Sequence, residues 1–219
     1  MTRTAARLTL AAVVAMSVVG CSLPIPKVNE PIVATVYDLG PPRAYKPGNP
    51  SIAGTLAIPD VTTPEWLDEG IVYRLLYEGA REPQTYTRSR WTADPAALVT
   101  ERVRTRFAAV AKSVVSPLDS ARSDYTLRIE LRDFSQSFEA AAQSHATLRA
   151  RATLIASADR SVLAQREFEV RRDAAPNAEG AVKALAEATD AFLEELVAWT
   201  VASAKAGAST PKTPSKDKT

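Results

Sequence analysis

Segments in which apolar and polar residues alternate fill much of the first half of the chain, a pattern typical of β-strands with one buried face. The alternation predicts four strands, at 35–39, 51–61, 70–75 and 84–91. Because a Glu-Gly-Ala-Arg turn separates the last two, we expect them to form a hairpin. Within the fourth strand the alternation places Tyr86, Arg88 and Arg90 on one face.

A spacing of three and four residues between apolar positions predicts two amphipathic helices. The first begins at Asp94-Pro95, an N-cap residue followed by proline, and ends before Ser116-Pro117. Its expected buried stripe is Val99, Val103, Phe107, Val110, Ala111 and Val114. The second helix runs from about Ala178 to Val201, and its expected inward residues are Val182, Leu185, Ala186, Thr189, Leu193, Leu196 and Val197.

Between the two helices, alternation predicts three consecutive strands, at 127–138, 146–156 and 162–170. The phase shifts between Leu131 and Phe134, which predicts a β-bulge near Asp133. These strands form an antiparallel meander with one face in water. The whole pattern predicts a single α/β domain, in which a mixed and largely antiparallel sheet is covered by two main helices.

The first twenty residues have the three zones of a signal peptide. Arg3 and Arg7 supply a positive start, and an uncharged, mostly apolar run of twelve residues follows from Leu8 to Val19. A membrane-spanning helix needs about 20 apolar residues, so this run is too short to remain as an anchor. We therefore interpret residues 1–20 as a cleavable signal peptide.

The segment Val18-Val19-Gly20-Cys21 resembles the bacterial lipobox, and it predicts that Cys21 is acylated and becomes the first residue after cleavage. Two or three acyl chains on one residue make a stable membrane anchor, whereas a single chain binds reversibly. Cys21 is the only cysteine, so no internal disulfide can form. The alternative is an ordinary signal peptide with a chance cysteine nearby.

Composition completes the predicted domain organisation. Residues 21–34 contain three prolines and no hydrophobic periodicity, so we interpret them as a lipidated N-terminus and tether. Residues 35–203 form the folded domain. Residues 204–219 contain no large apolar side chain, and we predict a disordered tail.

Net charge argues against a nucleic-acid partner. The whole chain carries a formal net charge of +2, and removal of residues 1–20 leaves 25 basic against 25 acidic residues. Nucleic-acid binding requires a clear basic excess, because the phosphate backbone dominates affinity.

The residue types that catalysis or metal binding requires are scarce. His145 is the only histidine, and its position in an alternating strand predicts a surface residue. With no second histidine and no free cysteine, the usual zinc and copper ligand sets are missing. The sequence contains neither a Gly-rich phosphate loop nor a Gly-x-Ser-x-Gly elbow. We therefore expect no cofactor and no enzyme activity.

One segment has the composition of a protein–protein contact. Tyrosine, tryptophan and arginine are the side chains enriched at binding hot spots. They cluster in the third and fourth strands, and the candidate partner-binding residues are Tyr73, Arg74, Tyr86, Arg88, Arg90 and Trp91. The alternative is that Tyr73 and Trp91 simply fill the core under the helices.

Several of these motifs, in this order after a lipobox, resemble the ABC-type transport auxiliary lipoproteins, the PqiC-like components encoded with MCE-type lipid transporters. The motifs are Tyr37-Asp38-Leu39-Gly40, Ile71-Val72-Tyr73-Arg74, the Tyr86 to Trp91 strand before a proline-containing helix start, Asp124-Tyr125-x-Leu127, the Phe134 and Phe138 pair, and an Ala-rich closing helix with Trp199. The likeness covers nearly the whole chain after Cys21.

The resemblance implies an outer-membrane lipoprotein that faces the periplasm and docks an MCE tunnel protein without catalysis. It also implies a fold similar to the TolB N-terminal domain, and a homo-oligomer. Ser22 after the acylated cysteine fits export to the outer membrane, since aspartate there is the usual retention signal. Two alternatives are a lipoprotein activator of a peptidoglycan synthase, for which the tether is short, and an envelope hydrolase, for which the catalytic residues are missing.

Overall fold

The computed structural model describes residues 33–44, 52–79 and 82–209. Within these residues the strands are β1 (Thr35–Tyr37), β2 (Ile52–Ala57), β3 (Gly70–Leu75), β4 (Gln84–Trp91), β5 (Ala111–Val115), β6 (Tyr125–Ala140), β7 (Gln143–Ala156) and β8 (Val162–Ala174). The main helices are α1 (Pro95–Ala108) and α2 (Ala178–Ser209), and short 3-10 turns lie at Leu76–Glu78 and Pro117–Asp119. Cys21 lies outside the described residues, as do most of the predicted tether and the last ten positions of the predicted tail.

β6 organises the sheet, because its sixteen residues offer two long edges to other strands. β7 pairs antiparallel along nearly all of one edge, and β8 pairs antiparallel with β7. The other edge is shared, since β2 pairs in parallel at Tyr125 and Thr126 and β3 pairs in parallel at 135–138. β4 and β1 extend the sheet beyond β3, and β5 extends it beyond β2. The predicted mixed α/β fold with an antiparallel meander is confirmed.

The predicted bulge in β6 is also confirmed. The register between β6 and β7 shifts between Leu131 and Asp133. Before the shift Leu131 pairs with Ala150, and after it Phe134 pairs with Leu148, so all four apolar side chains lie on the same face. Strict alternation from Leu131 would turn Phe134 to the opposite face, and the extra residue brings it back to the apolar one.

The core lies between this apolar face and the two helices. α2 packs against β7 and β8, where Phe192 meets Phe168 at a ring-centroid distance of 5.4 Å. From α1, Val99, Val103 and Phe107 are fully buried. Asp94 caps α1 as predicted, with its side chain accepting the Ala97 backbone N–H at 2.7 Å. No helix among the described residues combines the length and apolar character needed to cross a membrane.

The predicted end of the first helix is wrong. α1 ends at Ala108, and Ala111–Val115 form β5. Apolar residues at 110, 111 and 114 continue the helical spacing, but Val114 and Val115 are β-branched and favour a strand. β5 pairs in parallel with β2, where Val114 lies opposite Leu56, and this distant pairing overrides the local pattern.

The predicted start of the tail at Ala204 is wrong as well. α2 continues to Ser209, six residues into that segment. Ala204 is buried, and Gly207 lies against Leu163 at the start of β8, where an added Cβ would come within 2.9 Å of the leucine side chain. Alanine-rich sequence has high helix propensity, so small residues that lack a hydrophobic stripe can still extend a packed helix.

Candidate docking site

Trp91, one of the six candidate partner-binding residues, lies in the core. Its side chain is fully buried and its ring centroid lies 5.6 Å from that of Phe134. The indole Nε1 has no hydrogen-bond partner among the described residues. Because no part of Trp91 reaches the surface, the structure shows core packing, and not partner contact, for this residue.

Arg74 is held by contacts within the domain. Its Nη1 lies 3.2 Å from Asp133 Oδ1 and also donates to Ser135 Oγ, while the guanidinium carbon lies 4.8 Å from the Trp66 ring centroid. The Arg74 side chain is only 16% exposed. A cation stacked on an aromatic ring and paired with a carboxylate is already satisfied. Arg74 therefore fastens the segment around Trp66 to β6.

Tyr73 and Tyr86 form a half-buried aromatic cluster with Phe138. The ring centroids of the two tyrosines are 4.7 Å apart, and Phe138 meets Tyr73 edge-on at 6.0 Å. Each hydroxyl donates to a glutamine, Tyr73 to Gln84 Oε1 at 2.8 Å and Tyr86 to Gln136 Oε1 at 2.7 Å. These bonds hold both rings in one orientation.

The hydrogen bonds of Tyr86 continue into the domain. Gln136 Nε2 donates to Ser144 Oγ at 2.7 Å and to the Ala175 carbonyl at 2.9 Å, next to the start of α2. Burial, together with the neighbouring Tyr73, raises the pKa of Tyr86 to about 12. At neutral pH the Tyr86 hydroxyl is therefore a protonated donor that links β4 to β6.

Arg88 and Arg90 are the exposed members of the candidate set. Arg90 Nη1 lies 2.6 Å from Glu69 Oε2, and both side chains are about half exposed, at 51% and 54%. Arg88 makes no ion pair within the part of the chain that the structure describes. The prediction that Tyr86 shares a face with Arg90 is wrong. Gly70 pairs with Arg90 but Val72 pairs with Thr85, so β4 gains three residues over β3 and its alternation is interrupted.

An open groove of about 480 Å³ lies at this irregular part of β4. It brings Tyr86 and Arg90 next to two acidic residues of the segment before β3, Asp68 and Glu69. The groove therefore has a cation and two carboxylates among its lining residues. Such a mixture suits hydrogen bonding and charge pairing with another macromolecule.

Two features of the structure were not found from the sequence. The first is Arg102 on α1, which lies 3.0 Å from Asp190 Oδ1 and donates to the carbonyls of Leu39 and Gly40. Open grooves of about 420 and 340 Å³ lie on the two sides of the segment it holds. The second is a pair of exposed apolar side chains, Leu76 and Tyr77, directly after β3. The sequence feature that could have indicated this exposed pair is the position of two large apolar residues directly before a Glu-Gly turn.

No metal-binding cluster occurs among residues 33–44, 52–79 and 82–209, where no three His, Cys, Asp or Glu side chains come close enough to hold an ion. His145 Nδ1 lies 3.6 Å from Glu139 Oε1, and the His145 side chain is 16% exposed. It is thus more buried than the surface position predicted for it.

The fold and these side chains define a mixed α/β domain with polar and aromatic side chains on part of its surface. Comparison with known proteins identifies the family. The family model for ABC-type transport auxiliary lipoprotein components matches residues 37–197, and the chain belongs to this family. The resemblance found in the sequence is thereby confirmed.

Solved structures support the same fold. A protein from Xanthomonas campestris assigned to family DUF330 is 23% identical, has a TM-score of 0.72, and is matched over 80% of this chain and 100% of its own. An uncharacterized protein is 14% identical with a TM-score of 0.57, over 76% of this chain and 98% of its own. At these identities the likeness shows the fold alone. No curated protein matches the sequence.

Proposed function

We propose that this chain is a lipoprotein anchored through Cys21 to the outer membrane, where its domain faces the periplasm and serves an ABC-type lipid transporter. The family match over residues 37–197 is the observation that carries this proposal. The lipobox-like segment before Cys21 supplies the anchor, and Ser22 fits export to the outer membrane. A tether of residues 22–34 could span roughly 43 Å when extended, at about 3.3 Å per residue.

The work of the domain, in this proposal, is to dock the MCE-type protein of the transporter without catalysis. The exposed Arg88 and half-exposed Arg90, beside the groove that contains Tyr86, support a contact at β4. Arginine and tyrosine at a rim steer and orient a partner. Trp91 holds the end of β4 in the core against Phe134, and Tyr73 contacts the ring of Tyr86.

The docking proposal is tested by charge reversal at β4. The double variant Arg88→Glu and Arg90→Glu should abolish capture of the purified MCE-type protein while the melting temperature stays nearly constant, since both side chains are exposed. Arg128→Glu, a reversal at an exposed arginine of β6, is the matched control and should capture normally. Normal capture by the double variant would place the contact elsewhere.

The anchor is tested by blocking lipoprotein processing. Globomycin, which inhibits the lipoprotein signal peptidase, should make the wild-type precursor accumulate, and Cys21→Ser should give an unlipidated protein. Normal processing of the wild type under the drug would contradict the lipobox interpretation. Ser22→Asp should move the lipidated protein to the inner membrane, as membrane fractionation would show.

A further inference from the structure

One end of the sheet carries apolar side chains that no part of the described domain covers. The turn after β3 contributes Leu76 and Tyr77, which are 44% and 45% exposed. The turn between β6 and β7 contributes three consecutive exposed alanines, Ala140–Ala142. Leu75 pairs with Phe138, so the two turns lie side by side. We call these five residues the apolar tip.

The apolar tip stands on a fixed base. Tyr73 and Phe138, whose rings are in edge-on contact, lie just before the two turns on their respective strands. Gly79 ends the short 3-10 turn with a φ of +69°, a conformation that glycine adopts without strain. A surface that is already ordered loses little conformational entropy when a partner binds.

The charged residues in the sequences of the two turns are mostly acidic. Glu78 and Glu82 flank the first turn and Glu139 precedes the second, whereas Arg81 is the one basic residue in the sequence of either turn. Glu139 lies 3.6 Å from His145 Nδ1 and is half exposed. An anionic membrane surface attracts basic residues and repels carboxylates. The glutamates of the two turns therefore favour a protein partner in which an apolar side chain lies beside lysine or arginine.

We infer that the apolar tip is a docking surface for an apolar segment with basic flanks on the transporter's periplasmic subunit. The inference rests on the proposed docking function and assigns that function a second contact, distinct from β4. Leu76 and Tyr77 supply the apolar surface that becomes buried when the partner binds, and the glutamates select and orient that partner. Isolated exposed apolar residues are ordinary on a protein surface. Here five lie together over an ordered base.

The first test removes the apolar contact. The mature protein in detergent, with Leu76→Asp and Tyr77→Asp, should bind the purified periplasmic subunit about tenfold more weakly or worse. Leu118→Asp is the matched control, because Leu118 is 90% exposed at the other 3-10 turn, and it should bind like the wild type. All three proteins should unfold at similar urea concentrations, since the substituted side chains are exposed.

The second test addresses charge. Glu78→Lys with Glu139→Lys should weaken binding and reduce its dependence on salt, because the paired charges are lost. Glu130→Lys, at an exposed glutamate in the middle of β6, should have little effect. Equal binding by the Glu78/Glu139 variant and the wild type would contradict the assigned charge preference.

The outcomes separate the inference from the function on which it rests. If the Leu76/Tyr77 variant binds normally while the Arg88/Arg90 variant does not, the inference that the apolar tip is a docking surface is wrong, and the proposed docking function stands. If the wild type fails to bind the subunit, both fall. Binding of the unlipidated Cys21→Ser protein to vesicles of phosphatidylethanolamine and phosphatidylglycerol, lost with Leu76→Asp and Tyr77→Asp, would overturn the inference in favour of a membrane contact.

Discussion

Two arginine–carboxylate pairs, on different parts of the molecule, differ in how much they contribute to the stability of the fold. Arg102 is 8% exposed and lies 3.0 Å from Asp190, and it also donates to two backbone carbonyls. Arg90 is 51% exposed and lies 2.6 Å from Glu69. The exposed pair is the shorter one, yet water and salt screen it. Burial, and not distance, therefore decides which of the two pairs contributes more to the stability of the fold.

The largest expected effect is at Arg102. Arg102→Ala leaves Asp190 and the carbonyls of Leu39 and Gly40 without a buried donor, and it should lower the free energy of unfolding by about 3–5 kcal/mol. Urea unfolding followed by circular dichroism measures this. Arg128→Ala, at an exposed arginine, should change the free energy by no more than about 0.5 kcal/mol. Equal effects of the two variants would remove the contrast between buried and exposed arginines.

A smaller effect is expected at Tyr86, whose side chain is less buried than that of Arg102 and less exposed than that of Arg90. Tyr86→Phe removes the 2.7 Å hydrogen bond to Gln136 but keeps the ring, so unfolding should become easier by about 1 kcal/mol. Tyr73→Phe, which removes the exposed bond to Gln84, should cost less. If the order of the two variants were reversed, the half-buried chain from Tyr86 to Ser144 would not support β4.

The pH dependence of stability measures how far folding raises the pKa of the Tyr86 hydroxyl. Its pKa is raised from 10.0 to about 12 in the folded protein. Between these pH values the folded state keeps a proton that the unfolded state has lost, so the free energy of unfolding falls as pH rises through this window. Tyr86→Phe should make that fall shallower. An unchanged slope would show that the folded and unfolded pKa values of Tyr86 are the same.

The smallest effect is expected at the exposed pair. A double-mutant cycle with Arg90→Ala and Glu69→Ala should give a coupling energy of about 0.2–1 kcal/mol, which falls further in high salt. The measurement is again urea unfolding, at low and high salt concentration. A coupling of the size expected for Arg102 and Asp190 would mean that Arg90 is structural and unsuited to partner contact.

Much of the fold follows from local pattern. The bounds of β3 and β4 are those predicted, because β-branched and aromatic residues fill both strands and turn residues delimit them. β5 was missed because the apolar residues at 110, 111 and 114 satisfy the helical spacing by coincidence, and only pairing with β2 distinguishes the two structures. Local pattern therefore identifies strands with clear boundaries. It fails where pairing with a distant strand determines whether a segment is helix or strand.

The candidate site was harder to predict. Trp91 has the residue type of a hot spot but lies in the core, because parallel pairing with β1 places it beside Tyr37 under the helices. Asp190, the partner of Arg102, lies 88 residues further along the chain, so no local motif indicates the contact. Residue type indicates what a side chain can do, whereas the register of distant strands decides whether it is exposed.

The central claim is that partner contact occurs at β4 and the apolar tip, while the region held by Arg102 remains unchanged. Hydrogen–deuterium exchange of the mature protein, with and without the purified periplasmic subunit of the transporter, tests it most directly. Binding should slow exchange at 73–78, 86–90 and 140–142 and leave 36–40 unchanged. Slower exchange at 36–40, with no change at 73–78 and 140–142, would contradict the claim.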